Sequence, residues 1–214
     1  MGHSIRTYSK DDELVAARRE EIARNVARVF VKKGYDRTSV REIVDACGMS
    51  TGTLYHYVGS KEDILYLVIN HGLSIYTDFF EETAVDLDTI SPTDALVCAI
   101  REFYQRLDKF QDFTVFIYQE TKNLQSSARQ SVLDAERRLV RIFERLLTRG
   151  CEVGEFKIDN VTLVAHDIVV VAEMWAVRRW FLRKCCTLEE YTRHHIDSFL
   201  KCISPTHFTE GYTS

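Results

Sequence analysis

Residues 38–65 read TSVREIVDACGMSTGTLYHYVGSKEDIL, and three helix starts crowd into this one stretch. Ser39 and Glu42 form an S-x-x-E capping box that predicts a helix from Val40. Val40, Ile43, Val44 and Cys47 supply its apolar face at helical spacing. Gly48 follows where a left-handed C-cap favours glycine. Ser50 is an N-cap for a second helix, Thr51 to about Tyr57, with only Met49 between turn and cap. Gly59 is expected to end that helix, and Ser60 with Asp63 to cap a third. Punctuation this dense fits a helix-turn-helix, the motif that lays its second helix in the DNA major groove.

The composition of the second helix supports that reading. Leu54 is its one strongly aliphatic residue, surrounded by Thr51, Gly52, Thr53, Tyr55, His56 and Tyr57. Small and hydroxyl-bearing residues at a helix start approach base edges and phosphates closely. Tyr55 and Tyr57 can donate hydroxyls to phosphate oxygens while their rings pack. Lys61 adds a cation in the first turn of the next helix, beside backbone N–H groups that favour anions. The bland alternative is a small helical hairpin whose polar face merely meets water.

At these residues the chain resembles the TetR (tetracycline-repressor-like) family of bacterial one-component regulators. Thr38, Ser39, Ile43, Gly48, Met49, Ser50, Gly52, Thr53, Leu54, Tyr55, Tyr57, Ser60, Lys61, Glu62 and Leu65 match its motif, and Ala27 to Ser39 resembles its first helix and exit. Val44, Cys47 and Val58 depart from it, apolar for apolar. The resemblance implies an all-α fold: three N-terminal helices for DNA and about six more for ligand binding and dimerisation. By matched position it implies that Thr38 or Ser39, Tyr55 and Lys61 hold phosphates. Thr51, Gly52, Thr53, His56 and Tyr57 would face the groove, with Ser50 capping beside them.

The charge distribution agrees. The net charge is −4, yet residues 1–61 carry 11 Lys and Arg against 8 Asp and Glu, whereas residues 62–214 carry 17 against 24. The basic excess lies with the proposed reading helix, and Arg6, Lys10, Arg37, Arg41 and Lys61 are its candidate footprint. The 214 residues can bury a substantial core. Two prolines and nine glycines are few, which favours long helices. No apolar run reaches membrane-span length and no apolar signal core opens the chain, so a cytoplasmic location is expected. The six cysteines show neither C-x-x-C spacing nor disulfide-scaffold density. Reduced and mostly buried thiols are expected.

Further along, apolar spacing predicts a helix from about Asp11 to Lys33, with Gly34 as its stop. Residues 1–10 read as a mobile arm. The helix from Ser60 is expected to run to about Glu82. Ser91-Pro92-Thr93-Asp94 starts another, to about Lys109. A short aromatic helix follows around Phe113, then a long basic one, Ser127 to Thr148, closed by Gly150 and Gly154. Asp159–Lys184 reads as one long helix, and Thr187 with Glu190 boxes the last, ending near Ile203. The expected division is a DNA-binding domain over 1–59, a ligand-binding and dimerisation domain over 60–204, and a tail over 205–214.

The last two long helices resemble the family's dimer-forming pair, with Val164, Ile168, Val171, Ala172 and Trp175 on one seam and Ile196, Phe199 and Leu200 on the other. Aromatic residues of the middle helices can line an apolar pocket. The segment Phe113 to Leu124 resembles family members that control fatty-acid and aromatic-acid breakdown in response to acyl-coenzyme A thioesters. Phe103, Phe110, Phe113, Tyr118 and Trp175 are the candidate acyl-chain residues. Arg141 and Arg178, from two arginine-rich helices, are the candidate phosphate ligands.

The rival class is a helical small-molecule-binding protein or enzyme without DNA-binding activity. No E-x-x-H, G-x-S-x-G, Walker A or G-x-G-x-x-G pattern supports an enzyme, metal site or cofactor. The reading is therefore a homodimeric transcriptional regulator, a repressor released from a palindromic operator by a small apolar or acyl-CoA effector.

Overall fold

The computed structural model describes Ile5, residues 11–87 and residues 89–205. The expected arm, apart from Ile5, and the tail beyond Pro205 lie outside the described residues, as do Arg6 and Lys10 of the expected footprint. The described residues hold ten α-helices, one 3-10 turn at Thr121–Asn123 and no strand. The helices are α1 (Asp12–Lys33), α2 (Val40–Cys47), α3 (Thr51–Tyr57), α4 (Lys61–Leu87), α5 (Pro92–Lys109), α6 (Gln111–Glu120), α7 (Ser126–Glu152), α8 (Val161–Val177), α9 (Arg179–Cys185) and α10 (Leu188–Ile203). The all-α class expected from the sequence is the one observed.

The chain divides into two compact units, one of residues up to Ile75 with Asp112–Glu136, the other of Tyr76–Gln111 with the residues from Arg137 on. The three divisions all fall inside helices, in the middle of α4 and of α7 and after the first residue of α6, and no Gly/Ser/Pro-rich spacer separates the units.

The first unit is built around one apolar cluster. Ile22, Val26 and Phe30 of α1, Ile43 of α2, Leu54 of α3 and Ile64, Leu65, Val68 and Ile69 of α4 are fully buried in it. The rings of Phe30 and Phe116 stack with centroids 6.0 Å apart, and Phe113 lies 5.7 Å from Phe116. Gly72 makes room for this arrangement: a Cβ there would stand 1.5 Å from the Phe113 ring.

The second unit has an aromatic centre. Phe103 lies 6.1 Å from Tyr76, 6.2 Å from Phe80 and 5.7 Å from Phe143. Ser91 caps α5 with Pro92 in its first turn, as the sequence predicts. The backbone N–H and hydroxyl of Thr93 both donate to Glu155 Oε2, at 2.9 and 2.6 Å. This bond spans 62 residues and fixes the start of α5 against the loop after α7.

Two expected boundaries are corrected. Gly150 does not close α7, which runs on to Glu152. Its missing side chain serves packing, since a Cβ there would lie 2.0 Å from the Phe156 ring. Gly154, at φ +80°, is the residue that turns the chain. The expected single helix over Asp159–Lys184 is two helices broken at Arg178, whose φ of −106° and ψ of 18° leave the helical basin. Asp108 of α5 explains the break. Its Oδ1 accepts from the Trp175 indole N–H at 2.8 Å and from the Arg183 guanidinium at 3.0 Å. A straight helix would hold residues eight apart about 12 Å from each other along its axis. The break is also why seven helices, not six, follow α3.

Much of the expected dimer seam lies inside the unit's own core. Ile168, Ala172, Trp175 and Ile196 are buried there, while Val164, Val171, Phe199 and Leu200 are half-buried against the same cluster. The thiols also depart from expectation, because Cys98, Cys185 and Cys202 are exposed, although all six are free.

Gly150→Ala tests the packing role of that glycine. A 2.0 Å approach to a ring belongs at the upper end of overpacking costs, about 3 kcal/mol. That exceeds the ~1 kcal/mol an alanine gains in helix propensity. A denaturant melt should therefore show a net loss of stability.

Candidate nucleic-acid interface

The local chemistry of residues 38–63 folds as its caps dictate. Ser39 and Glu42 complete the capping box of α2: the Ser39 N–H donates to Glu42 Oε2 at 2.9 Å and the Glu42 N–H to Ser39 Oγ at 3.3 Å. Gly48 closes α2 in the left-handed conformation, φ 63° and ψ 31°, and the Met49 N–H returns to Val44 O at 3.1 Å. Ser50 caps α3 by accepting from the Thr53 N–H at 3.0 Å, and its hydroxyl lies 2.8 Å from Thr53 Oγ1. Helix α3 is closed by Val58, in extended conformation, one residue before the glycine expected to do so. Ser60 and Asp63 start α4, Ser60 Oγ accepting from the Asp63 N–H at 3.0 Å while Asp63 Oδ2 accepts from the Gly59 N–H at 3.0 Å.

Only Leu54 of α3 is buried. Thr51, Gly52, Thr53 and His56 are exposed, and Tyr55 and Tyr57 are half-buried with the His56 and Tyr57 rings edge to face at 5.2 Å. Arg41, in the first turn of α2, and the N-caps Ser39 and Ser50 are exposed. The exception is Thr38. It is 2% exposed, and its hydroxyl donates to Gly34 O at 2.8 Å, so it packs the exit of α1 and leaves the outer face to Ser39.

Lys61 is more constrained than its sequence position suggests. Its ammonium donates to Tyr35 O at 2.6 Å and sits 4.3 Å from the centre of the Tyr35 ring. Burial lowers its pKa, while nearby carboxylates of Asp36, Glu120 and Glu42 act in the opposite sense. Two bracing residues leave no mark in the sequence pattern. Tyr35 holds Lys61 across 26 positions. Arg19 donates from Nε to Tyr57 O at 3.0 Å and from Nη2 to Ile5 O at 2.9 Å, which places a cation at the carbonyl end of α3. Neither bond gives a periodic signal, because each partner is remote in the chain.

The candidate effector residues divide between the two units. In the second unit Phe103 is fully buried, Trp175 packs at a tilt with its ring 5.1 Å from that of Tyr191, and Phe110 packs half-buried against the same core. The Tyr104 hydroxyl is buried beside them and makes no hydrogen bond to a described residue. Arg141 and Arg178 are both exposed, Arg178 with its guanidinium 5.2 Å from the Trp180 ring centre. Phe113 and Tyr118 belong to the first unit; Phe113 fills the space above Gly72, while Tyr118 is 65% exposed.

A two-helix motif that buries one leucine of its second helix and turns hydroxyls, an imidazole and a glycine outward defines a helix-turn-helix DNA-binding protein. Residues 25–66 match the family described as "Bacterial regulatory proteins, tetR family", and residues 89–203 match "Tetracyclin repressor-like, C-terminal domain". The chain belongs to the TetR family and is a DNA-binding transcriptional regulator, not an enzyme. The HTH-type transcriptional regulator HbdR of Aromatoleum sp. (strain CIB) is 29% identical to it over 213 residues, 99% of this chain and 90% of that one. Two solved structures share the fold. FadR from Bacillus subtilis in complex with stearoyl-CoA has a TM-score of 0.71 at 20% identity, over 84% of this chain and 96% of its own. AibR in complex with isovaleryl coenzyme A and operator DNA has a TM-score of 0.65 at 22% identity, over 85% and 97%.

The capping carboxylate sets a pH dependence. Hydrogen bonds from Lys33 and from the Ser39 N–H and hydroxyl lower the Glu42 pKa from the ordinary 4.5 to about 2. Because the folded value is depressed, this contribution is complete above pH 4.5 and is lost as pH falls through about 2. Glu42→Gln, which can still complete the box, should flatten the acid limb of the stability curve between those values, measured by denaturation at stepped pH.

Proposed function

We propose that the protein is a homodimeric, cytoplasmic repressor that leaves a pseudo-palindromic operator when it binds a small apolar or acyl-CoA effector. The observation that carries the DNA half of this reading is the outward polar face of α3 around its single buried leucine. In this reading each protomer inserts Thr51–Tyr57 into one major groove, with half-sites about one helical turn apart or somewhat more. Thr51, Gly52, Thr53, His56 and Tyr57 face base edges. Ser39, Arg41, Ser50, Tyr55 and Lys61 hold phosphates, Lys61 from a position already set by Tyr35. Residues 1–59 serve DNA, residues 60–204 the effector and the second copy, and residues 205–214 form a tail.

Three observations support the effector class. Phe103, Phe110 and Trp175 belong to an aromatic core that also buries a spare phenol donor, Tyr104, and apolar lining with few polar groups suits an acyl chain. Arg141 and Arg178 keep their guanidinium groups at the surface, where they can take phosphates. Two proteins of the same fold, FadR and AibR, are solved in complex with acyl-CoA thioesters. Phe113 and Tyr118 remain part of the proposal on their sequence resemblance. An effector acts only by binding the DNA-competent and DNA-incompetent states unequally. α4 and α7 are the helices that run through both units and can carry that difference.

Fluorescence anisotropy on DNA flanking the gene tests the proposal. Binding should appear at low ionic strength and reverse with a thioester from an acyl-CoA panel; no binding to any fragment, with or without effectors, overturns it. Lys61→Ala should weaken binding on every sequence alike and lower the salt slope by about 0.9 for each phosphate no longer neutralised. A changed base preference would contradict the phosphate role.

A further inference from the structure

A second cationic surface lies beside the reading motif, and Arg37 is the one residue it shares with the footprint expected from the sequence. At the end of α1 and the start of α2, Arg28, Val29, Lys32, Lys33, Arg37 and Glu42 line an open groove of about 620 Å³. Glu42 is already committed, to the Ser39 N–H and hydroxyl and to the Lys33 ammonium, with which it forms an ion pair. Arg37 is fixed by its Nε–H, which donates to Lys33 O at 2.7 Å and keeps the rest of its guanidinium at the groove. With Lys33 neutralised, three cations remain in the lining.

The pairing along α1 shows what is unusual here. Its earlier cations are all engaged, Arg18 with Glu21 at 2.7 Å and Arg24 with Glu20 at 2.9 Å within the helix, and Arg19 on the Tyr57 and Ile5 carbonyls. That pattern stops at Arg28. Arg28 and Lys32 are exposed, stand one turn apart on the same face, and have no ion-pair partner among the described residues. Like charges four positions apart repel on a helix, and an anion between them relieves this. Glu42 of the lining accepts from the N–H and hydroxyl of Ser39, a proposed phosphate ligand at the start of α2. Its open form suits a chain of phosphates passing along it better than a caged small anion.

We propose that this groove is a second seat for the DNA backbone, in which Arg28, Lys32 and Arg37 hold phosphates that flank the half-site read by α3. The proposal rests on α3 entering the major groove. It extends the footprint outward from the symmetry centre or inward toward it by backbone interactions that carry no base information.

The test compares the full chain with Arg28→Ala/Lys32→Ala on two duplexes, one trimmed to the recognised repeat and one with flanking base pairs on both sides and a spacer intact. The double variant should bind the long duplex roughly tenfold or more weakly near 0.1 M salt, with a salt slope lower by about 0.9 for each phosphate it no longer neutralises, and keep the same base preference. Arg28→Lys/Lys32→Arg should restore the slope, which separates a missing charge from a folding defect. An unchanged affinity and slope on the long duplex overturns the groove while leaving the α3 reading intact. A wild-type chain that binds no duplex overturns both. Calorimetry with inorganic pyrophosphate distinguishes the other source of phosphate: loss of pyrophosphate binding in the double variant, with DNA binding unaltered, would assign the groove to a free anion and overturn the backbone seat.

Discussion

The burial of Leu54 is the interaction on which the reading motif depends. A seven-residue helix has too few internal hydrogen bonds to persist alone in water. α3 has one fully buried side chain to hold it, set among Ile22, Val26, Ile43 and Leu65. Everything polar on α3 is presented outward because the one apolar residue points in. The ends are then held by different chemistries: a serine hydroxyl at the first turn, and a guanidinium on the last carbonyl. Lys61 fixes the start of the following helix against the carbonyl of Tyr35. The surface is thus rigid before DNA arrives, which limits the ordering cost of binding.

Residues whose partners lie within a turn were legible in the sequence. The Ser39–Glu42 and Thr187–Glu190 boxes, the Gly48 turn, the Ser50 cap and the Ser91-Pro92 start are local devices, and each is where its spacing puts it. The misreadings share a cause, which is a partner that no cap or turn pattern encodes. Gly150 resembles a helix stop until Phe156 is seen to occupy the space beside it. The break at Arg178 carries no glycine or proline, because the carboxylate that requires it belongs to α5. Thr38 matches a phosphate-holding position of the family, yet its hydroxyl is taken up by Gly34.

The candidate effector residues divide along the same line. Aromatic content pointed to the middle helices, and the middle helices do supply the second unit's aromatic centre. Aromatic identity alone does not distinguish a side chain that fills the core from one that meets solvent. Phe103 is fully buried and Tyr118 mostly exposed, although both come from aromatic-rich helical segments. The informative residue is Tyr104, whose phenol is pushed to a high pKa by burial and so stays a neutral donor. A buried donor without an acceptor costs about 1–3 kcal/mol, a penalty that a carbonyl-bearing guest would relieve.

The joint at Asp108 has an optical corollary. The chain contains two tryptophans. Trp175 is sealed in the interior with its N–H on a carboxylate, whereas Trp180, five residues on, is 64% exposed. The bend between them thus places one indole in a dry medium and the other in water. Intrinsic emission should consequently combine a quencher-resistant signal from Trp175 with an iodide-sensitive one from Trp180, and a movement of α9 against α5 should alter their ratio without a dye.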